Sequence, residues 1–389
     1  MSAGSDFASL NSWSHPGWLY QAAGAEEIVA GGPGDWPLLR EALARRHVRV
    51  DAPHPPGAAI GFFRYDGSFW FGFYPEIAVV PAGEPSPLWR AQAARWADAP
   101  PGGEPWQSNL TPEGFAARVA AAQEWIARGH IYQVNLAQRF EVPFAGSPAR
   151  LFEHLMARSP APGAAYLDTG AERILSASPE LFLRVEGRRV VTRPIKGTRP
   201  RDRDPVRDQQ LAYELMTDPK EQAELVMITD LERNDLGRIC EAGSVTVTEL
   251  LKLERYPQVF HLVSTVEGHL REEVDPVEAV AACFPGGSIT GAPKRRAMEI
   301  IAELEPAPRG LFTGAIGYFG FNGDCAFSIA IRTMVHEAGK LHFHVGSGVT
   351  AGSDPLREYE ETLHKARGLQ LALEAYRAAS RSVPSVSGS

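Results

Sequence analysis

Between residues 311 and 345 short apolar runs alternate with smaller residues and break at Asn322-Gly323 and again at Gly339-Lys340. Asn-Gly suits a tight hairpin turn, whose two central positions need positive φ. Strands joined by such turns must pair antiparallel, because a parallel partner needs a crossover of a dozen or more residues. We therefore expect a meander over 311–345. Residues 173–195 read the same way, as strands around a Glu186-Gly187 turn. Residues 131–142 add a half-buried strand, with Tyr132, Val134 and Leu136 in alternation.

Helical signals lie between these runs. Thr111 is an expected N-cap and Pro112 suits the first helical position, while Phe115, Val119, Ala122 and Ile126 share one face up to a stop at Gly129. Further helices are expected at about 208–239, 293–305 and 355–379. Hairpin-linked strands with helices gathered between them indicate an α+β fold rather than a regular βαβ series. The Pro- and Gly-rich stretch near 99–110 suggests a linker between a smaller N-terminal region (1–98) and a main body (111–379). The Ser-, Val- and Pro-rich residues 380–389 read as a disordered tail.

Composition removes several classes of function. A net charge of −8 argues against nucleic acid as the main partner, and an anionic substrate would need local cations. No apolar run approaches the roughly 20 residues of a membrane span. Met1–Leu10 shows no signal-peptide pattern. Cys240, Cys283 and Cys325 lack metal-ligand spacing and read as free thiols of a cytoplasmic protein.

Three segments carry candidate chemistry. Glu221 with Glu224, and Glu358 with Glu361, are each three residues apart on expected helices, so each pair shares a face. Two such faces suit Mg²⁺, which takes one or two carboxylates, waters and an anionic substrate group. They equally suit solvated faces, with Glu361 paired to Lys365. In Arg193-Pro-Ile-Lys-Gly-Thr-Arg199, Lys196 is either a presented nucleophile or a surface lysine in a basic turn. Pro285 to Lys294 is a Gly-rich lead into a helix, an anion site or a structural turn. It is no P-loop, because Ala292-Pro293 stand where Lys-Ser/Thr would follow Gly291. Glu180 and His261 are individually weak signals.

Taken together and in order, these segments resemble the chorismate-utilising enzymes, the family of anthranilate, isochorismate and aminodeoxychorismate synthases. The resemblance runs over about 111–372. It rests on Ile131-Tyr-Gln-Val-Asn-Leu, Ser176-Ala-Ser-Pro-Glu, Pro194-Ile-Lys-Gly-Thr, Asp230 to Arg238, Gly287-Ser-Ile-Thr-Gly-Ala-Pro-Lys, Ile331-Arg-Thr and Glu361-Thr-Leu-His-Lys-Ala.

The resemblance implies large antiparallel sheets packed as an α/β sandwich, with helices outside. It implies Glu224 and Glu361 as direct Mg²⁺ ligands and Glu221 and Glu358 reaching the metal through water. Glu180 would protonate the departing C4 hydroxyl of chorismate. Arg332 and backbone near Gly348 would hold the pyruvyl carboxylate, with His261 near the enolpyruvyl group. Thr290 and Gly291 would help form the wall beside the ring, and Thr198 would also contact substrate. Phe312 stands where relatives often carry a tyrosine, so that hydroxyl contact is not expected, and no segment resembling a tryptophan pocket is visible.

Two positions sort the family. Gln133 lies where isochorismate-forming members place a lysine base, which disfavours hydroxylation. Lys196 lies where anthranilate synthases usually carry alanine, and a lysine there resembles the aminodeoxychorismate-forming branch. The expected reaction is chorismate plus ammonia to 4-amino-4-deoxychorismate, for para-aminobenzoate and folate, with Lys196 as nucleophile. The ammonia would come from a separate glutamine amidotransferase subunit, because no amidotransferase segment is present. The alternatives are an anthranilate-forming enzyme and an inactive chorismate-binding scaffold.

Overall fold

The computed structural model describes residues 6–50, 52–83, 85–96 and 102–381. The chain begins with β1 (Phe7–Asn11), β2 (Trp18–Ala23), β3 (Glu27–Gly31), α1 (Trp36–Ala44), β4 (Ala58–Phe63), β5 (Phe69–Tyr74), β6 (Ala78–Pro81) and α2 (Pro87–Ala94). It continues with β7 (Gln107–Ser108), α3 (Pro112–Ala127), β8 (Gln133–Pro143), α4 (Pro148–Arg158), β9 (Gly163–Asp168) and β10 (Glu172–Ser178). Next come β11 (Leu181–Glu186), β12 (Arg189–Arg193), β13 (Ile195–Pro200), α5 (Pro205–Thr217), α6 (Pro219–Gly237), β14 (Thr246–Arg255) and β15 (Val259–His269). The last stretch holds α7 (Pro276–Cys283), β16 (Gly291–Ala292), α8 (Lys294–Leu304), β17 (Ala315–Gly320), β18 (Cys325–Ile329), β19 (Thr333–Glu337), β20 (Lys340–Val349) and α9 (Pro355–Arg381).

Two ten-stranded antiparallel sheets result. One runs β16-β8-β20-β19-β10-β9-β1-β2-β6, with β7 also on β8; the other runs β13-β15-β12-β11-β18-β17-β4-β5-β3, with β14 also on β15. Period-two alternation lets each sheet bury both faces. In β4 and β5, Ile60, Phe62 and Tyr74 face the other sheet, packing against Leu10, Tyr20, Ile174 and Val335. Phe63, Phe69, Phe71 and Phe73 point the other way, onto Leu39 of α1 and Val277 and Val280 of α7. The first sheet covers its outer face with α4 and α9 through Phe140, Phe343, Leu155 and Leu369. This is the expected α+β sandwich with helices outside.

Several local expectations need correction. The stretch 208–239 is two helices, because Pro219 restricts Asp218 to an extended conformation (ψ 111°) and so ends α5. The Asp218 carboxylate then caps α6 by accepting from the N–H groups of Lys220 and Glu221. Residues 311–345 are not one meander: β17–β18 lie in one sheet and β19–β20 in the other. The crossing falls at Ala330–Arg332, with Arg332 at φ +49°. The second turn is one residue earlier than expected, since Ala338 and Gly339 carry the positive φ values and Lys340 already belongs to β20. Within the stretch read as a linker, Gln107 and Ser108 pair with Glu141 and Phe140, and residues 97–101 lie outside the described residues. Of the tail, Ser380 and Arg381 belong to α9, and 382–389 lie outside the described residues. Among the described residues, no helix is long and apolar enough to cross a membrane.

Candidate active site

The ends of β8 and β20 meet α6, α9, β13 and the Gly-rich turn before β16. Thr111 caps α3, the helix that precedes β8, by accepting from Gly114 N at 3.1 Å. On β8, the Gln133 amide Nε2 donates toward Glu224 Oε2 at 3.5 Å. Gly348 on β20 lies at the same point. A β-carbon there would come within 2.5 Å of Gln133 Nε2 and 3.5 Å of Glu224 Oε2, so a larger residue would displace the Gln133 amide from Glu224.

Glu224 and Glu358 are buried and both face the Lys220 ammonium, at 3.9 and 3.3 Å. Burial raises the Glu224 carboxyl above its ordinary range, opposed by Lys196 and Lys220. Glu358 Oε2 is buried without a partner. Glu221 is paired with Arg199 at 3.5 Å, and Glu361 with Lys365 at 2.7 Å. Burial works against ionised Glu361, but Lys365, Lys220 and Lys196 hold its carboxyl below the usual range. All four glutamates therefore line one region. Lys220 stands between two of them, and among the described residues no three His, Cys, Asp or Glu side chains converge as a metal-ligand cluster.

Lys196, on β13, lies between this acidic end and Glu180. Its Nζ donates to the Ser288 carbonyl at 3.0 Å. Glu180 is wholly buried, and its Oε1 accepts from Ile195 N at 3.4 Å. Burial raises its carboxyl above the ordinary range, with Ser288, Lys196, Ile195 N–H and Arg332 opposing. The Ser288 hydroxyl is close to this carboxylate but forms no hydrogen bond of good geometry.

His261 Nδ1 meets Thr198 Oγ1 at 3.0 Å. Burial and the nearby Arg332 guanidinium push its pKa down to about 4, so the ring is neutral at pH 7. His261 and Arg332 line a small cleft with Pro179, Tyr256 and Val259. Burial also lowers the Arg332 pKa, while Glu180 opposes that shift.

Two further nominated residues make contacts within the turn and to β8. The Thr290 hydroxyl donates to Gly286 O at 3.0 Å within its own turn and points at none of the groups above. Gly291 pairs with Val134 at φ +143°, where a β-carbon would strike Gln133 O at 2.2 Å. Lys294, at the end of the Gly-rich segment, donates to Asp235 and to Cys283 O, pinning α8 to α6 instead of facing the site. Phe312 stacks on His344.

Sequence reasoning missed Lys220 and Ser288. Lys220 was visible one residue before Glu221 and four before Glu224, a spacing that puts it on the same helix face. Ser288 acts through its carbonyl, which any residue type would supply.

Comparison with known proteins identifies the family of the chain. Residues 83–370 match the family described as chorismate binding enzyme. Anthranilate synthase component 1 of Streptomyces coelicolor is 48% identical over 279 residues, covering 72% of this chain and 55% of that protein. Aminodeoxychorismate synthase component 1 of Bacillus subtilis is 46% identical over 265 residues, covering 68% of this chain and 56% of that one. The chain thus spans a little over half the length of these relatives. The solved anthranilate synthase component I of Streptococcus pneumoniae superposes with a TM-score of 0.75 at 28% identity, over 95% of this chain and 92% of that chain. The chain belongs to the chorismate binding enzyme family.

Proposed function

We propose that this chain aminates chorismate at C4, giving 4-amino-4-deoxychorismate. The observation that carries the reading is Lys196, an amine held at 3.0 Å by the Ser288 carbonyl, with buried Glu180 among its charged neighbours. In this reading the Lys196 amine attacks C2 of the ring, both ring double bonds shift by one position, and the C4 hydroxyl leaves as water with the proton of Glu180. Ammonia then attacks C4, both double bonds shift back, and the C2–N bond breaks to release the lysine amine. Glu180, left as a carboxylate, accepts a proton in this second step. Covalent catalysis divides one difficult substitution into two easier ones, and a carboxyl raised by burial suits the acid role.

The remaining residues bind and orient. Arg332 offers the cationic group for the pyruvyl carboxylate, and the backbone at Gly348 offers close approach. Neutral His261, oriented by Thr198, lines the cleft with Arg332, where in this reading the enolpyruvyl group lies. Gln133 is committed to Glu224 and supplies no base for water.

The four carboxylates suit a hard divalent cation by their chemistry, although among the described residues no three of them converge and Lys220 lies where Glu224 and Glu358 meet. The donor set is all carboxylate oxygen, Glu358 Oε2 is an unpartnered buried acceptor, and the Lys220 ammonium shows that Glu224 and Glu358 accommodate positive charge between them. Glu224 and Glu361 would hold Mg²⁺ directly and Glu221 and Glu358 through water. When bound, the ion supplies charge against the substrate carboxylate and so offsets the acidic surroundings. Relatives carrying the name component 1 favour a second component, which we take to be a glutaminase delivering ammonia.

Anthranilate formation is the second reading, favoured by relatives of that name at up to 48% identity. Purified protein given chorismate, Mg²⁺ and ammonium separates the two. A product with nitrogen at C4 and an intact enolpyruvyl group supports the proposal; anthranilate with pyruvate overturns it.

A further inference from the structure

Three consecutive residues of the Gly-rich turn, Gly287, Ser288 and Ile289, each have one backbone group bound by a charged side chain from a different part of the chain. Glu232 Oε1, on α6, accepts from Gly287 N at 3.0 Å. Lys196 Nζ, on β13, donates to Ser288 O at 3.0 Å. Arg309 Nη1 donates to Ile289 O at 3.0 Å.

Arg309 is itself fixed, by Glu305 at 2.7 and 2.9 Å and by Asn135 O at 2.7 Å. Glu232 is 3% exposed and takes no part in the reaction described above. Burial pushes its carboxyl up to about 7, with Lys294 opposing. A buried acid held for no structural return would be a cost; the return here is the anchored turn.

The turn also lies directly on α6. A β-carbon at Gly287 would come within 2.6 Å of the Leu231 side chain and 3.0 Å of Glu232 Oε1. Helix α6 thus carries Glu224 at one point and, eight residues or about 12 Å further along, the anchor of the turn that receives Lys196.

We propose that Glu232 is a positioning residue that, by accepting the Gly287 N–H, fixes the Ser288 carbonyl and with it the place of the Lys196 amine. Its consequence for catalysis rests on the amination reading above. The placement of the amine does not, and can be measured without chorismate.

The test is trace acetylation of the full chain by acetic anhydride, with labelling of each lysine-containing peptide quantified by mass spectrometry. Wild type, Glu232→Met, Glu232→Gln and Gly287→Ala are compared, with exposed Lys252 and Lys340 as internal references. Glu232→Gln keeps an acceptor oxygen, so Lys196 labelling should stay within about two-fold of wild type. Glu232→Met and Gly287→Ala should each raise it on the order of ten-fold, the scale of losing one hydrogen bond to a charged group. Unchanged Lys196 labelling in folded Glu232→Met, or a shift in Glu232→Gln equal to that in Glu232→Met, overturns the proposal. If Glu232→Met does not fold, Gly287→Ala decides alone, since unchanged labelling there also overturns it. Failure of wild type to aminate chorismate would remove the proposed function and leave this result standing.

Discussion

The Lys220 ammonium on α6 lies 3.3 Å from the Glu358 carboxylate on α9, joining two helices across 138 positions of sequence. Glu358 is almost wholly buried and Glu224, also buried, faces the same ammonium at 3.9 Å. Positive charge is therefore built into the meeting point of the two Glu-x-x-Glu faces. The account expects a divalent ion to join these carboxylates. Glu224→Gln and Glu361→Gln should each lower turnover at least about a hundred-fold, since charge stabilisation by a bound ion is worth several kcal/mol. Far-ultraviolet circular dichroism should be unchanged, and calorimetric Mg²⁺ binding should weaken in parallel. Full activity in excess chelator would contradict the assignment.

Glu180→Gln should keep chorismate affinity and lower kcat by about 10²–10⁴-fold, the range of a positioned general acid. Because burial raises the Glu180 carboxyl, its proton persists above the ordinary carboxylate range. The wild-type kcat should therefore hold at a pH where an exposed glutamate is already ionised. Single-turnover kinetics across pH check both points, and an unchanged kcat in the variant would remove Glu180 from the chemistry.

The chain should turn over with ammonium and not with glutamine. A glutaminase needs an activated thiolate, whereas Cys240, Cys283 and Cys325 are all buried and unpaired. Burial raises all three thiols above their ordinary range, Cys240 to about 11. Assay of the purified chain with each nitrogen source decides this, and glutamine-dependent turnover would contradict it.

Burial depresses His342 to about 4 and His344 to about 3, with Arg139 pushing both the same way. A histidine with a lowered folded pKa contributes stability that is present above its unfolded value near 6.5 and is lost as pH falls below it. Buried Glu180, Glu224 and Glu232 shift upward and act in the opposite sense, so the whole-protein slope is a sum. The histidine share is isolated by difference. Between pH 7.5 and 5, the stability gap between wild type and the double variant His342→Gln/His344→Gln should narrow by on the order of 2 kcal/mol for each histidine, roughly 4 kcal/mol together. Urea unfolding at each pH measures it, and a gap independent of pH would contradict the burial argument.

What the sequence revealed depended on whether a residue's role was local. Thr111, Pro112 and the Phe115–Val119–Ala122 face produced the expected helix because capping and period 3.6 are decided within one element. The strands of 173–195 were legible from the turn between them, but alternation misread 131–142: Tyr132 is exposed and precedes β8, which buries both faces through Gln133 and Ala137 on one side and Val134, Leu136 and Gln138 on the other. Which sheet receives each hairpin is a long-range matter, so the crossing at Arg332 was hidden. At the site, Glu221, Glu224, Glu358 and Glu361 were visible as two helix faces, but their meeting depends on the long-range folding that brings the start of α6 to the start of α9. Lys196 and Glu180 were weak candidates from their own segments, and their roles came only from the resemblance. Lys220 and Ser288 were overlooked, one because a lysine beside glutamates reads as surface, the other because it acts through its backbone.

The central claim is that Lys196 becomes covalently attached to the substrate ring. The most direct measurement is mass spectrometry of the intact chain and of the peptide containing Pro194-Ile-Lys-Gly-Thr after incubation with chorismate and Mg²⁺, without ammonia. The account predicts that Lys196 gains the mass of chorismate less one water, that ammonium discharges it as 4-amino-4-deoxychorismate, and that Lys196→Ala gains nothing. An unmodified Lys196 in a preparation that converts chorismate and ammonium to anthranilate and pyruvate would contradict it.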